Sequence, residues 1–62
     1  MIILIKEDAL VLKSPAVEVL NEIHLKGYDV REVPKGFEVR GGKEYLFNLL
    51  YELSKTYDID LV

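Results

Sequence analysis

The sequence predicts a small α+β fold in which two helices pack against a β-sheet. Residues 15–26 and 43–56 place apolar side chains three and four positions apart, which is the spacing of one face of a helix. Short apolar or alternating runs before, between and after these segments are typical of strands. With 62 residues, the chain is expected to form one domain.

Two apolar runs precede the first helix. Residues 2–5 are continuously apolar and mostly β-branched, which predicts a strand buried on both faces. A polar break at residues 6–8 separates this strand from a second apolar run at residues 9–12. The pattern leaves open whether residues 9–12 add an extra strand that pairs with the first or form an extended connection.

The first helix is predicted at residues 15–26. Ser14 is expected to cap the free N–H groups, and Pro15 is tolerated at the first helical position. Gly27 occupies the position of a left-handed C-terminal cap. The apolar face of this helix consists of Ala16, Val19, Leu20 and Ile23.

A hairpin, a second helix and a final strand follow. Residues 28–33 and 37–40 are predicted to be the two strands of the hairpin, joined by a Pro-Lys-Gly turn at residues 34–36. The second helix is predicted at residues 43–56, and the alternating residues 58–62 predict the last strand. The core stripe of the second helix consists of Leu46, Leu49, Leu50 and Leu53.

This βαββαβ order resembles a minimal form of the split βαβ, or ferredoxin-like, architecture. The resemblance implies an open-faced sandwich with both helices on one face of an antiparallel sheet, and residues 9–12 as an optional extra strand. It concerns architecture and assigns no function by itself. The chain has neither the Cys-x-x-Cys loop of heavy-metal-associated domains nor the alternating aromatic residues of RNA-recognition domains, since its third strand offers Phe37 alone.

Composition argues against several kinds of site. The absence of cysteine removes disulfides, thiolate metal ligands and thiol redox chemistry. His24 is the single histidine, and no nucleophile or orienting group has a spacing that would place it beside His24. We therefore expect no catalytic residue, no metal, no cofactor and no enzymatic activity. The net charge of −3 and the pI near 5.0 argue against a general nucleic-acid binder.

Composition also suggests a location. The apolar run at residues 1–5 is too short to span a membrane and lacks the basic start of a signal peptide, so we expect a cytoplasmic protein without membrane contact. The chain is rich in Glu and Lys and contains no Gln or Cys, which is typical of thermophile proteins.

The glycine pair before the second helix allows two interpretations. Gly41 and Gly42, with Arg40 and Lys43, could bind an anion at the positive end of the helix dipole. The favoured interpretation is a plain turn, because neither the P-loop spacing nor a dinucleotide fingerprint is present. The alternative function is weak binding of nucleic acid or a nucleotide phosphate by this helix start, with Lys35 as a further basic residue.

The remaining apolar residues predict an interaction module. Phe47 and Tyr51 form an i,i+4 pair on one flank of the second helix. Ile2 and Leu4 alternate with the core-facing residues of the first strand, so they are expected to face the open side of the sheet. Exposed apolar patches of this kind are typical of protein interfaces. The expected function is a non-enzymatic module that self-associates as a homodimer, or docks on a larger protein, through these four residues.

Overall fold

The computed structural model describes all 62 residues as a five-stranded mixed sheet with two helices. The elements along the chain are β1 (Ile2–Ile5), β2 (Ala9–Lys13), α1 (Val17–Leu25), β3 (Asp29–Val33), β4 (Gly36–Arg40), α2 (Lys43–Ser54) and β5 (Asp60–Leu61). Their order across the sheet is β3-β4-β2-β1-β5. The pairing of β1 with β5 is parallel, and the other three pairings are antiparallel.

The α+β class is confirmed, whereas the strand order differs from the ferredoxin-like order. Strands β2 and β3, joined by α1, enclose β4 and form a split βαβ unit, whereas the prediction had used residues 2–5 as the first strand of that unit. The ferredoxin-like order would then place β5 directly beside β2, but β1 occupies that position. The reason is local: the three polar residues 6–8 let β1 fold back on β2 as a hairpin, so that Ile3 lies opposite Leu12. The open question about residues 9–12 is thereby answered, because they form the middle strand of the sheet.

Both helices cover the same face of the sheet. The core cluster joins side chains of β1, β2 and β4 to those of both helices, and its members are Ile3, Leu10, Leu12, Val19, Ile23, Val39, Leu46, Leu49 and Leu53. The strand residues in this cluster lie opposite one another in the register, so they project from one face. No helix lies on the opposite face. The sheet was predicted to be antiparallel but is mixed, because β5 runs parallel to β1.

The strand buried on both faces is β2 and not β1. Residues 9–12 are all buried, whereas Ile2 and Ile5 of β1 are exposed. The prediction had assigned burial on both faces to residues 2–5 because that run is continuously apolar and mostly β-branched. Strand order decides between them: β2 lies at the middle of the sheet, while β1 has only the two-residue β5 beyond it.

The first helix begins two residues later than predicted. Ser14 has a φ of 47° and turns the chain out of β2, and Ala16 occupies the N-cap position without a side-chain hydrogen bond. The predicted serine cap is therefore wrong, since the extended backbone at Ala16 separates Ser14 from the first turn. At the other end Gly27 has a φ of 87°, which confirms the left-handed residue after the helix.

The second helix begins at Lys43 as predicted and ends at Ser54, two residues early. Its core stripe is narrower than predicted, because Leu50 is only partly buried. Neither helix is long and apolar enough to cross a membrane.

Candidate interaction surface

Most of the exposed large apolar side chains gather around the free edge of β5. Phe47 and Tyr51 on α2 are 60% and 63% exposed, and Ile2, Leu61 and Val62 are also exposed. We call this surface the β5-edge patch. It consists of Ile5, Phe47, Tyr51 and Leu61 on the helix-covered face of the sheet, and Ile2, Leu4 and Val62 on the open face.

The buried stripe of α2 fixes where the two aromatic rings point. Leu46, Leu49 and Leu53 are held in the core, so the next flank around the helix, which carries Phe47 and Tyr51, turns toward β1 and β5. Phe47 and Ile5 line one surface depression. Tyr51, four residues later on the same flank of α2, and Leu61 line a second depression.

The backbone of β5 bonds to β1 on one side only. The N–H groups of Asp60 and Val62 donate to the carbonyls of Met1 and Ile3 at 2.8 and 3.0 Å, and the N–H of Ile5 donates to the carbonyl of Val62 at 3.1 Å. Because successive backbone groups of a strand point to opposite sides, the N–H and C=O of Leu61 point away from β1. The patch therefore surrounds an unpaired strand edge.

All four residues predicted to form an interface belong to this patch. The sequence suggested two separate surfaces, one on the flank of α2 with Phe47 and Tyr51 and one on the open face with Ile2 and Leu4. The structure places them on the two faces of the same sheet edge, because β1 lies next to β5. Leu4 is half-buried and lies beside Val62.

The opposite edge of the sheet is different in character. Strand β3 carries the exposed charged side chains of Asp29, Arg31 and Glu32. Charges along an edge strand discourage pairing with another strand. The β5 edge carries one exposed charged side chain, that of Asp60, so the β3 edge is the more highly charged of the two.

A row of charged side chains covers the open face near β3. Arg40 lies 3.7 Å from both Asp8 and Glu38, and Arg31 lies 3.9 Å from Glu38. Exposed ion pairs of this kind contribute little to stability. Their aliphatic stems do cover apolar surface, and the residues opposite Arg40 and Glu38 in β2, which are Ala9 and Val11, are each only 1% exposed.

The residues of the predicted anion site are not gathered in one place. The Arg40 side chain lies on the open face with Glu38, whereas Lys43 begins α2 on the covered face near Ile5 and Lys6. The first turn of α2 has no side-chain cap, and Gly42 at its N-cap is extended with open space around it. No observation favours an anion there.

Gly41 has a packing role that sequence patterns missed. A Cβ atom at Gly41 would lie 2.6 Å from the Tyr45 ring, so the ring occupies the space of a side chain. That ring packs on Tyr28, with centroids 4.2 Å apart and planes tilted by 39°. The sequence did place Tyr45 on the flank of α2 opposite Phe47, but no pattern in it indicated a contact between Tyr45 and Tyr28.

The two tyrosines hold the start of α2 against the turn after α1. The Tyr28 hydroxyl donates to the Tyr45 carbonyl at 3.1 Å, and the Tyr45 hydroxyl donates to the Gly27 carbonyl at 3.3 Å. Burial, and after it the proximity of Tyr45 and Glu52, raises the pKa of Tyr28 above its ordinary value of 10.0. Both hydroxyls are used in holding two elements together.

Other chemically active side chains lie apart. His24 is exposed on α1, and no group of three or more His, Cys, Asp or Glu side chains is arranged to hold a metal ion. Comparisons with protein-family models, with curated proteins and with solved structures give no match to the chain.

Proposed function

We propose that the protein is a non-enzymatic interaction module that binds another protein chain through the β5-edge patch. The observation that supports this is the concentration of exposed apolar side chains around one unpaired strand edge. Isolated exposed apolar residues are ordinary on protein surfaces, whereas contiguous patches mark interfaces.

The size of the patch supports the proposal. Ile2, Ile5, Phe47, Tyr51, Leu61 and Val62 are between 43% and 73% exposed. With about 200 Å² for an aromatic and about 150 Å² for an aliphatic side chain, these fractions amount to roughly 570 Å² of mainly apolar surface. The largest patch on a typical monomer is about 300–600 Å². The four residues on the helix-covered face supply roughly 400 Å² of the total, so this face alone carries a patch of that size on a chain of only 62 residues.

The patch is also separate from the core. Phe47 and Tyr51 are absent from the buried cluster that joins the helices to the sheet, and more than half of each side chain is exposed. Their exposure in a small domain needs a reason outside the monomer, because a polar residue at either position would be the ordinary choice on a solvated helix flank. Contact with another protein supplies that reason.

Sedimentation equilibrium of wild type and of Phe47→Glu/Tyr51→Glu tests the proposal. We expect the wild type to associate at micromolar concentration, toward twice its mass of 7.1 kDa. The double variant should stay folded by circular dichroism and sediment as a monomer, because it buries charge in the contact.

Val17→Glu/Leu25→Glu is the matched control, since these α1 residues are 68% and 85% exposed and lie outside the patch. It should associate like the wild type. Equal dissociation by the control would contradict a specific patch, and unfolding of Phe47→Glu/Tyr51→Glu at every concentration would place both aromatics in the core. A wild type that remains monomeric at high micromolar concentration would restrict the proposal to docking on a different protein.

A further inference from the structure

We infer that the occupant of the β5-edge patch is a second copy of this chain, bound so that the two β5 strands pair antiparallel across a two-fold axis. The inference rests on the proposed function and adds the partner and its orientation. It joins the two five-stranded sheets into one continuous sheet with all four helices on the same side.

The backbone of the edge permits this pairing. Asp60 and Val62 are bonded to β1, so Leu61 is the residue of β5 whose N–H and C=O are both free. With the two-fold axis passing beside Leu61, each Leu61 N–H donates to the Leu61 carbonyl of the other copy. This arrangement is isologous and closes at two chains, which is the commonest symmetry of soluble oligomers.

The shape of the patch favours a second copy over an isolated strand. An extended peptide that paired with β5 would leave Phe47 and Tyr51 uncovered, since they lie on α2 above the sheet. A matching partner presents a free strand edge with an apolar helix flank beside it on the same face. This chain has that surface, and a two-fold axis normal to the sheet brings strand edge to strand edge and helix flank to helix flank.

The area agrees with the requirement of a stable dimer. A standard interface buries about 800 Å² on each partner, and homodimer interfaces are about 65% apolar. A standard interface therefore needs about 520 Å² of apolar surface from each copy. The open face stays uncovered in this dimer, so the contact uses the four residues on the helix-covered face, which supply roughly 400 Å². That amount matches the smallest specific interfaces, which bury about 1,200 Å² in total. The charged β3 edge, with Asp29, Arg31 and Glu32, offers no comparable surface.

Backbone N-methylation gives a direct test, because a 62-residue chain without cysteine is accessible to stepwise chemical synthesis. N-methylation of Leu61 removes the free N–H and blocks strand approach while leaving the bonds to β1 intact. The matched control is N-methylation of Glu32 on β3. The N–H of Glu32 also points away from the sheet. The bond from the Gly41 N–H to the Asp8 carbonyl shows which residues of β4 face β2, and the residues between them face β3. Their partners Asp29, Arg31 and Val33 are therefore the β3 residues that bond to β4.

We expect N-methyl-Leu61 to raise the dimer dissociation constant by about 100-fold, through the loss of two hydrogen bonds and the added steric block. N-methyl-Glu32 should dimerise like the unmodified chain. Dimerisation of N-methyl-Leu61 at the wild-type constant would overturn the edge pairing. The proposed function would survive that result if Phe47→Glu/Tyr51→Glu still dissociated the dimer. A wild-type chain that stays monomeric at high micromolar concentration would overturn the second copy as partner.

Cysteine cross-linking tests the orientation. Antiparallel pairing centred on Leu61 places Asp60 opposite Val62 of the other copy, at about 5 Å between Cα atoms, which is within disulfide range. A mixture of Asp60→Cys and Val62→Cys chains should therefore oxidise mainly to the mixed dimer. Predominant self-cross-linking of each variant would contradict the antiparallel arrangement.

Discussion

Replacement of Gly41 by alanine tests whether this glycine is needed to make room for the Tyr45 ring. The added Cβ would lie 2.6 Å from the Tyr45 ring, which is closer than such atoms approach, so the ring must move. The ring has little freedom to do so, because it packs on Tyr28 and its hydroxyl donates to Gly27. A Cβ atom added to Gly42, one residue later, would have no other atom within 4 Å.

The magnitude follows from the contacts that the moving ring would lose. The tyrosine pair is worth about 0.5–1.5 kcal/mol beyond its burial, and each hydroxyl hydrogen bond about 0.5–1.5 kcal/mol. Alanine in place of glycine returns about 0.4–1 kcal/mol by restricting the unfolded chain. We therefore expect Gly41→Ala to lower the free energy of unfolding by about 1–3 kcal/mol. Gly42→Ala should change it by less than about 0.5 kcal/mol, since the same gain is offset by a poorer N-cap.

Urea denaturation followed by circular dichroism measures both changes, and a double-mutant cycle with Tyr45→Ala identifies the cause. Once the ring is absent, Gly41→Ala should become neutral or stabilise by about 0.4–1 kcal/mol. The coupling between Gly41 and Tyr45 should therefore be about 1–4 kcal/mol. An equal cost of Gly41→Ala with and without the ring would refute this reasoning.

Two further predictions concern the core and the tyrosine pair. Leu49→Ala should cost about 2–5 kcal/mol, because Leu49 is fully buried. A chain of this length has only about 3–9 kcal/mol in total. Urea denaturation should therefore find Leu49→Ala near unfolding and the half-buried Leu50→Ala clearly more stable. Since the pKa of Tyr28 is raised on folding, the unfolded chain releases this proton first. Part of the stability should therefore be lost as the pH rises above about 10. Tyr28→Phe should lose stability less steeply between pH 9 and 11 than the wild type, which keeps the Tyr28 hydroxyl; equal slopes would contradict the assignment.

Local patterns predicted the elements of this fold but not their neighbours. Helical periodicity located α1 and α2 within two residues at each end, and the Pro-Lys-Gly turn located the β3–β4 hairpin. The apolar runs at residues 2–5 and 9–12 carry the same local signal, so the sequence did not show which one lies at the middle of the sheet. That depends on strand order, which is set by contacts between distant segments. The contact of Tyr45 with Tyr28 and Gly41 was missed for the same reason, because it joins the end of α1 to the start of α2.

Ile2, Phe47 and Tyr51 are exposed, whereas Leu4 is half-buried, and their role as an interface stays a prediction. Their position around one sheet edge depends on the strand order. Period-two alternation places Ile2 and Leu4 on the open face, and helical spacing places Phe47 and Tyr51 on a flank of α2. In a ferredoxin-like order that takes β2 as its first strand, β5 would pair directly with β2, and β1 would not lie between them. Because β1 is inserted between them, α2 crosses β2 and β1 before the chain reaches β5. The aromatic flank of α2 thus lies beside the same edge as Ile2 and Leu4. In the proposed dimer, this arrangement makes the pairing of the two copies depend on one backbone N–H group, that of Leu61.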